Sequence, residues 1–196
     1  MKKTLLTLIL TLTALTASAR FSAGIRDSRY VYGSYMPLPG LSVGLNHSLY
    51  SEKAGFQRVG LHVGYGMDFA KGFHWHATAH AATTWNGNYQ LVDADITMAY
   101  TYRRLGLKAG IQPRYDSGLG YTTCWQAGAS LRIVKQISIL AAYTTIPEFR
   151  MSEKRLRGGF SFNVANLTVT PELSVSLDRS TRFKNLRVLM SMNYNF

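Results

Sequence analysis

The chain has 196 residues, 22 Lys and Arg against 10 Asp and Glu, a formal net charge of +12, and one cysteine, Cys124. A lone cysteine rules out an internal disulfide framework. With no low-complexity tract, charge block or Pro/Ser-rich linker, the sequence reads as one domain, whose basic balance suits anionic lipid, acidic solutes or nucleic acid.

Residues 1–19, MKKTLLTLILTLTALTASA, have a basic start, an apolar middle and an Ala-x-Ala end, the layout of a cleaved secretory signal peptide. Cleavage before Arg20 leaves residues 20–196 as the exported domain. No cysteine follows the cleavage point for a lipid anchor, and export removes nucleic acid from the expected partners. Beyond residue 19 no apolar run approaches the ~20 residues of a membrane helix.

From there the chain alternates. FSAGIR (21–26) and Arg29–Met36 are short segments, and 41–50 alternates weakly. In 56–69, Val59, Leu61, Val63, Tyr65, Met67 and Phe69 oppose Arg58, Gly60, His62, Gly64, Gly66 and Asp68. FHWHATAHAATTW (73–85) sets Phe73, Trp75 and Ala77 against His74, His76, Thr78 and His80. The pattern continues through 89–102 (Asp93 and Asp95 on the polar side), 105–116 (Lys108, Arg114, Asp116), 121–134 (Cys124, Arg132), a weaker 137–146, 155–164 (Arg155, Arg157), 167–178 (Glu172, Asp178) and 186–196 (Arg187). Period-2 alternation places successive side chains on opposite faces of a strand. Segments of roughly 10–14 residues match the ~9–11 of a tilted transmembrane strand better than the ~5–6 of a soluble sandwich.

Aromatic residues collect at the segment ends, with Phe69, Phe73, Trp75, Tyr100, Tyr102, Tyr194 and Phe196 at one level and Trp85, Tyr115 and Tyr121 at the other. Such girdles mark the two membrane interfaces. On these residues the chain resembles a small Gram-negative outer-membrane β-barrel. The terminal Tyr194-Asn195-Phe196 resembles the signal read by the barrel-assembly machinery, which the resemblance implies as a partner during biogenesis, alongside outer-membrane lipid and lipopolysaccharide. The expected fold is all-β, a monomeric transmembrane antiparallel up-and-down barrel. Working back from Phe196 through turns at 165–166, 135–136, 103–104, 70–72 and 37–40, with Asp27-Ser28 joining the first two strands, gives twelve strands. Ten remain an alternative if the short first segment lies inside. Outer connections are short, which argues against a large-ligand receptor.

The inward series is rich in cations. Arg58, Lys108, Arg114, Arg132, Arg155, Arg157 and Arg187 are expected to line an anion path, with Arg132, Arg155 and Arg157 as a positive ladder. The inward carboxylates could instead neutralise them all and leave a structural barrel. Inward glycines leave room near the wall and favour a narrow water-filled path. Turn lengths predict a row His62–His80–Asp93 across three strands and a second group of Asp68, His74 and His76. That set is read as polar lining, as a metal site, zinc being the metal it would suit, or as a general acid–base group. A lipid hydrolase reading rests on His47, yet Ser48 beside it points to the other face and no serine stands two residues on. The leading expectation is a narrow diffusion channel preferring small anionic solutes, with no cofactor. The alternatives are a non-conducting structural or assembly-accessory barrel and, behind it, the hydrolase.

Overall fold

The computed structural model describes residues 20–28, 30–48, 58–118, 120–145, 154–177 and 186–196. These form twelve strands: β1 (Arg20–Arg26), β2 (Tyr30–Leu38), β3 (Leu41–Ser48), β4 (Arg58–Ala70), β5 (Phe73–Thr84), β6 (Gln90–Tyr102), β7 (Leu105–Asp116), β8 (Gly120–Val134), β9 (Ile137–Thr144), β10 (Arg155–Val164), β11 (Leu167–Ser176) and β12 (Arg187–Asn195). Each pairs antiparallel with its sequence neighbours, and β1 pairs with β12, closing the barrel. Closure leaves no edge strand, so every strand's backbone groups find partners inside the protein, as hydrocarbon demands.

β1 settles the strand number. It pairs with β2 over seven rows from Arg20↔Met36 to Arg26↔Tyr30 and with β12 from Ser22↔Asn195 to Ile25↔Met192. The ten-strand alternative therefore does not hold.

The outward series carries the large apolar side chains, and they stay exposed: Leu61, Val63, Met67, Ile96, Trp125, Leu173 and Val188 among them. Among the described residues the buried apolar cluster is confined to Ala82, Tyr89 and Leu91. Such inside-out partition would be unfavourable in water by roughly 25 cal/mol per Å² of apolar surface, and fits a wall facing lipid. Rings meet at the two edges of this belt. Phe73 lies 5.7 Å from Phe69 and 4.4 Å from Tyr100, and Tyr194 lies 4.8 Å from Phe196. Trp85, Tyr115 and Tyr121 stand exposed at the other edge.

Two-residue turns at 39–40, 71–72, 103–104, 135–136 and 165–166 gather at the end that also holds Arg20 and Phe196. Short turns are periplasmic in barrels of this type, so the longer connections are external. The turn expected over residues 37–40 is shorter than read. β2 continues through Pro37 to pair Leu38 with Leu41, its register shifting between Tyr35 and Leu38. Proline has no N–H for the ladder and is accommodated at such irregularities. A similar shift between Asp68 and Ala70 carries β4 to Ala70. Strands β9 and β11 end at Thr144 and Ser176, inside the segments read from sequence; β3 is described to Ser48, and Leu49, Tyr50, Ile146 and Asp178 lie outside the described residues.

Candidate functional site

The polar series of every strand turns inward, so the lumen is the candidate site. Its β2–β6 wall is built around histidines. Register pairs His62 with His80, His80 with Asp93, Gly66 with His76 and Asp68 with His74. His80 is held from both sides: Nδ1 lies 3.2 Å from Asp93 Oδ2, and Nε2 lies 3.1 Å from the Asn46 amide nitrogen. His62 Nε2 is 3.4 Å from Ser34 Oγ. At the short-turn mouth His74 Nδ1 is 2.9 Å from Asp68 Oδ1, both exposed, while His76 is turned to Thr78 at 3.4 Å. Among the described residues no three His, Cys, Asp or Glu side chains converge as a metal centre would require. The set divides into separately satisfied pairs, an arrangement that lines a wall.

The imidazoles can lie flat because the strand beside them carries glycine. A Cβ on Gly60 would stand 2.6 Å from His80 Nε2 and 2.7 Å from Asn46 Oδ1, and one on Gly66 would stand 3.0 Å from the His76 ring. Elsewhere Gly128 lies under the Lys108 stem and Gly110 under Gln126. The space that inward glycines were expected to leave is thus taken by neighbouring side chains folded along the wall. His62, Thr78, Gln126, Thr168 and Thr170 keep part of their surface accessible.

The cations separate by level. Near the external end Arg58, Arg114, Arg155 and Arg157 are packed, whereas Arg26, the last residue of β1, stays exposed. The Arg58 guanidinium sits 4.2 Å from the centroid of Tyr89. The Tyr89 hydroxyl donates to Asp116, and Arg114 Nη2 donates to Asp116 Oδ2 at 2.9 Å and to the Tyr89 oxygen at 3.3 Å. Burial, then the bond to Asp116, raises the Tyr89 hydroxyl above its ordinary pKa. Arg155 is 1 % exposed, and its Nε donates to Ser174 Oγ at 2.8 Å. Arg157 is bound by both Asp27 and Glu172. Arg187, half-buried, pairs across from Ser174.

Lys108 and Arg132 differ. Both are exposed on the inward series, and among the described residues neither has an ion-pair partner. Asp95, by contrast, accepts from Gln126 Nε2 at 2.9 Å and from Thr97 at 2.7 Å.

The expected ladder of Arg132, Arg155 and Arg157 does not form. Arg132 pairs with Ser138, which pairs with Ser161. That level is four residues along β10 from Arg157, roughly 13 Å at the strand rise. Alternation reveals which face a residue occupies; its height depends on the accumulated register.

On the lipid face, His47 Nε2 accepts a hydrogen bond from Trp85 Nε1 at 3.1 Å. Ser48 points inward and its Oγ accepts the Arg58 N–H at 2.6 Å, so Ser48 does not pair with His47. Phe196 donates its backbone N–H to Phe21 O at 2.8 Å, and its ring, like that of Tyr194, is exposed on the outside. Cys124 is buried on the inner wall opposite Gln112.

Four residues of the lumen wall are not singled out as such by the sequence: Arg26, Asp27, Tyr32 and Tyr89. Arg26 sits in the inward phase of FSAGIR, as Gln126 does in segment 121–134. Asp27 meets Arg157 only because the barrel closes.

No protein-family model matches the chain, and no curated protein matches it. Its backbone is similar to solved porins. The structure of KdgM porin in complex with disordered oligogalacturonate superimposes with a TM-score of 0.68 at 9 % identity, over 91 % of this chain and 98 % of that one. KdgM porin alone gives 0.66 with the same identity and coverage. NanC porin gives 0.54 at 9 % identity, again over 91 % and 98 %. The shared property is the fold, a closed twelve-stranded barrel of the outer-membrane porin type.

Proposed function

We propose that this barrel is an outer-membrane channel that passes small solutes and prefers anions. One observation carries the reading: among the described residues Lys108 and Arg132 face the lumen without an ion-pair partner, while the carboxylates Asp27, Asp116 and Glu172 are paired to arginine and Asp93 and Asp95 are held by hydrogen bonds. Unpaired cations on a low-dielectric wall raise the local concentration of anions and exclude cations. The porin fold supports a conducting role, and the KdgM complex holds oligogalacturonate, a polyanion. The chain is exported by residues 1–19 and inserted through the signal at Tyr194 and Phe196, and lipopolysaccharide and phospholipid surround its apolar belt.

Planar-bilayer recording tests the proposal. Stepwise currents with a reversal potential on the anion side, moved towards the cation side by Lys108→Glu, are expected. A folded but silent barrel would favour the second reading, a non-conducting structural barrel. The packed Arg58, Tyr89, Arg114 and Asp116 cluster near the external end is the observation behind that reading.

A further inference from the structure

Where β1, β2, β11 and β12 meet, the inner wall holds a recess of about 80 Å³, lined by Arg26, Tyr32, Thr168, Thr170, Ser191 and Asn193 together with Ile25 and Met192. That is several times the ~10–15 Å³ one water needs, and it suits one compact polyatomic ion.

The chemistry of the recess is biased to one sign. The Arg26 guanidinium stands 5.6 Å from the centroid of Tyr32, and the Tyr32 hydroxyl donates to Asn193 Oδ1 at 2.7 Å, reaching across β1 above Gly24. The cation is therefore placed by a ring that is itself anchored on a second strand. Among the described residues Arg26 has no carboxylate partner. The adjoining carboxylate, Asp27, is committed with Glu172 to Arg157. Ser191 Oγ accepts the Asp27 N–H at 2.9 Å, so its own proton is available to donate. The Thr170 hydroxyl has no partner among the described residues. Thr168 donates to Asn163 Oδ1 at 2.8 Å. The recess thus offers one positioned guanidinium and two free hydroxyl donors, with no carboxylate in its lining.

We propose that this recess binds a small oxyanion, a carboxylate or phosphate group, with Arg26 supplying charge-assisted hydrogen bonds and Thr170 and Ser191 supplying hydroxyl donors. The solute class rests on the anion-pathway reading. The site would make the pathway more than a charged tube, because a guanidinium fork with flanking hydroxyls recognises an oxyanion's geometry as well as its charge.

The test measures binding without conduction. Protein purified from outer membranes in detergent is titrated at low salt with inorganic phosphate, and separately with galacturonate, by isothermal titration calorimetry. The two probes distinguish a free anion from an acidic group on a larger solute. Saturable binding of either probe is expected. Arg26→Gln should weaken it about tenfold or more, and Thr170→Val about threefold, in line with a charged and a neutral hydrogen bond. Lys135→Gln, which removes one charge at a distant turn, should leave it within twofold. No saturable binding of either probe, or equal weakening by Lys135→Gln and Arg26→Gln, overturns the site. If Arg26→Gln fails to fold, unchanged affinity in Thr170→Val does so. Conduction without binding removes the site and leaves the channel, whereas binding by a silent barrel keeps the site and removes the channel.

Discussion

The external and periplasmic halves of this lumen use the same residue types to opposite ends. Externally Arg58, Arg114, Arg155 and Arg157 are folded into Tyr89, Asp116, Ser174, Asp27 and Glu172, several of them almost fully buried. Towards the periplasm Lys108 and Arg132 reach into accessible space with no ion-pair partner among the described residues. An arginine buried against a carboxylate rigidifies a wall, since losing either partner strands a charge away from water. A lysine left unpaired in a solvated lumen adds little to stability and contributes its whole field to passing ions. Net charge alone does not separate these roles; placement does.

The sharpest way to break the comparison is to attack the external cluster. Asp116→Ala should strand Arg114 and the Tyr89 hydroxyl, costing about 3–5 kcal/mol in urea unfolding from lipid vesicles. Any change in ion selectivity should be small beside that of Lys108→Glu and directed towards anions, because Arg114 loses its counter-charge. If stability holds and selectivity moves instead, the division between the halves is wrong. A lipid-face control follows: Ile96→Arg, midway between the external and periplasmic ends of β6, should cost about 2–4 kcal/mol, measured by the same unfolding. Gly60→Val tests the folding of imidazoles along the wall. The added carbons would collide with His80 and Asn46, for an expected loss of about 1–3 kcal/mol and altered conductance. Lys108→Gln should be the mildest for stability, within about 0.5 kcal/mol, while lowering the anion-to-cation permeability ratio. A thermal melt and a reversal potential on one preparation would show both.

Much of this was legible in the sequence. Strict alternation assigned the faces, and the connections read at 70–72 and 86–87 led to the His62–His80–Asp93 row that the structure holds. The first connection is in fact only 71–72, which alone would set His62 opposite Ala81; the shift between Asp68 and Ala70 restores the register. The level of each cation was not legible. Arg132, Arg155 and Arg157 share a phase but sit in different rows, since height accumulates through registers that the loops set one by one. Nor was the Asp27–Arg157 contact, which closure of β1 on β12 creates between residues 130 apart. The inward glycines were read as vacancy. What the alternation could not convey is that side chains in a barrel lean onto the neighbouring strand, so a glycine there serves as the seat for His80, Gln126 or Lys108.

The most direct test of the account is the reversal potential of wild type and the Lys108→Glu/Arg132→Glu double variant in a tenfold salt gradient across a planar bilayer. The account predicts anion selectivity in the wild type and its loss or inversion in the double variant, with unfolding little changed. Equal selectivity in the two proteins, or cation preference in the wild type, would contradict it.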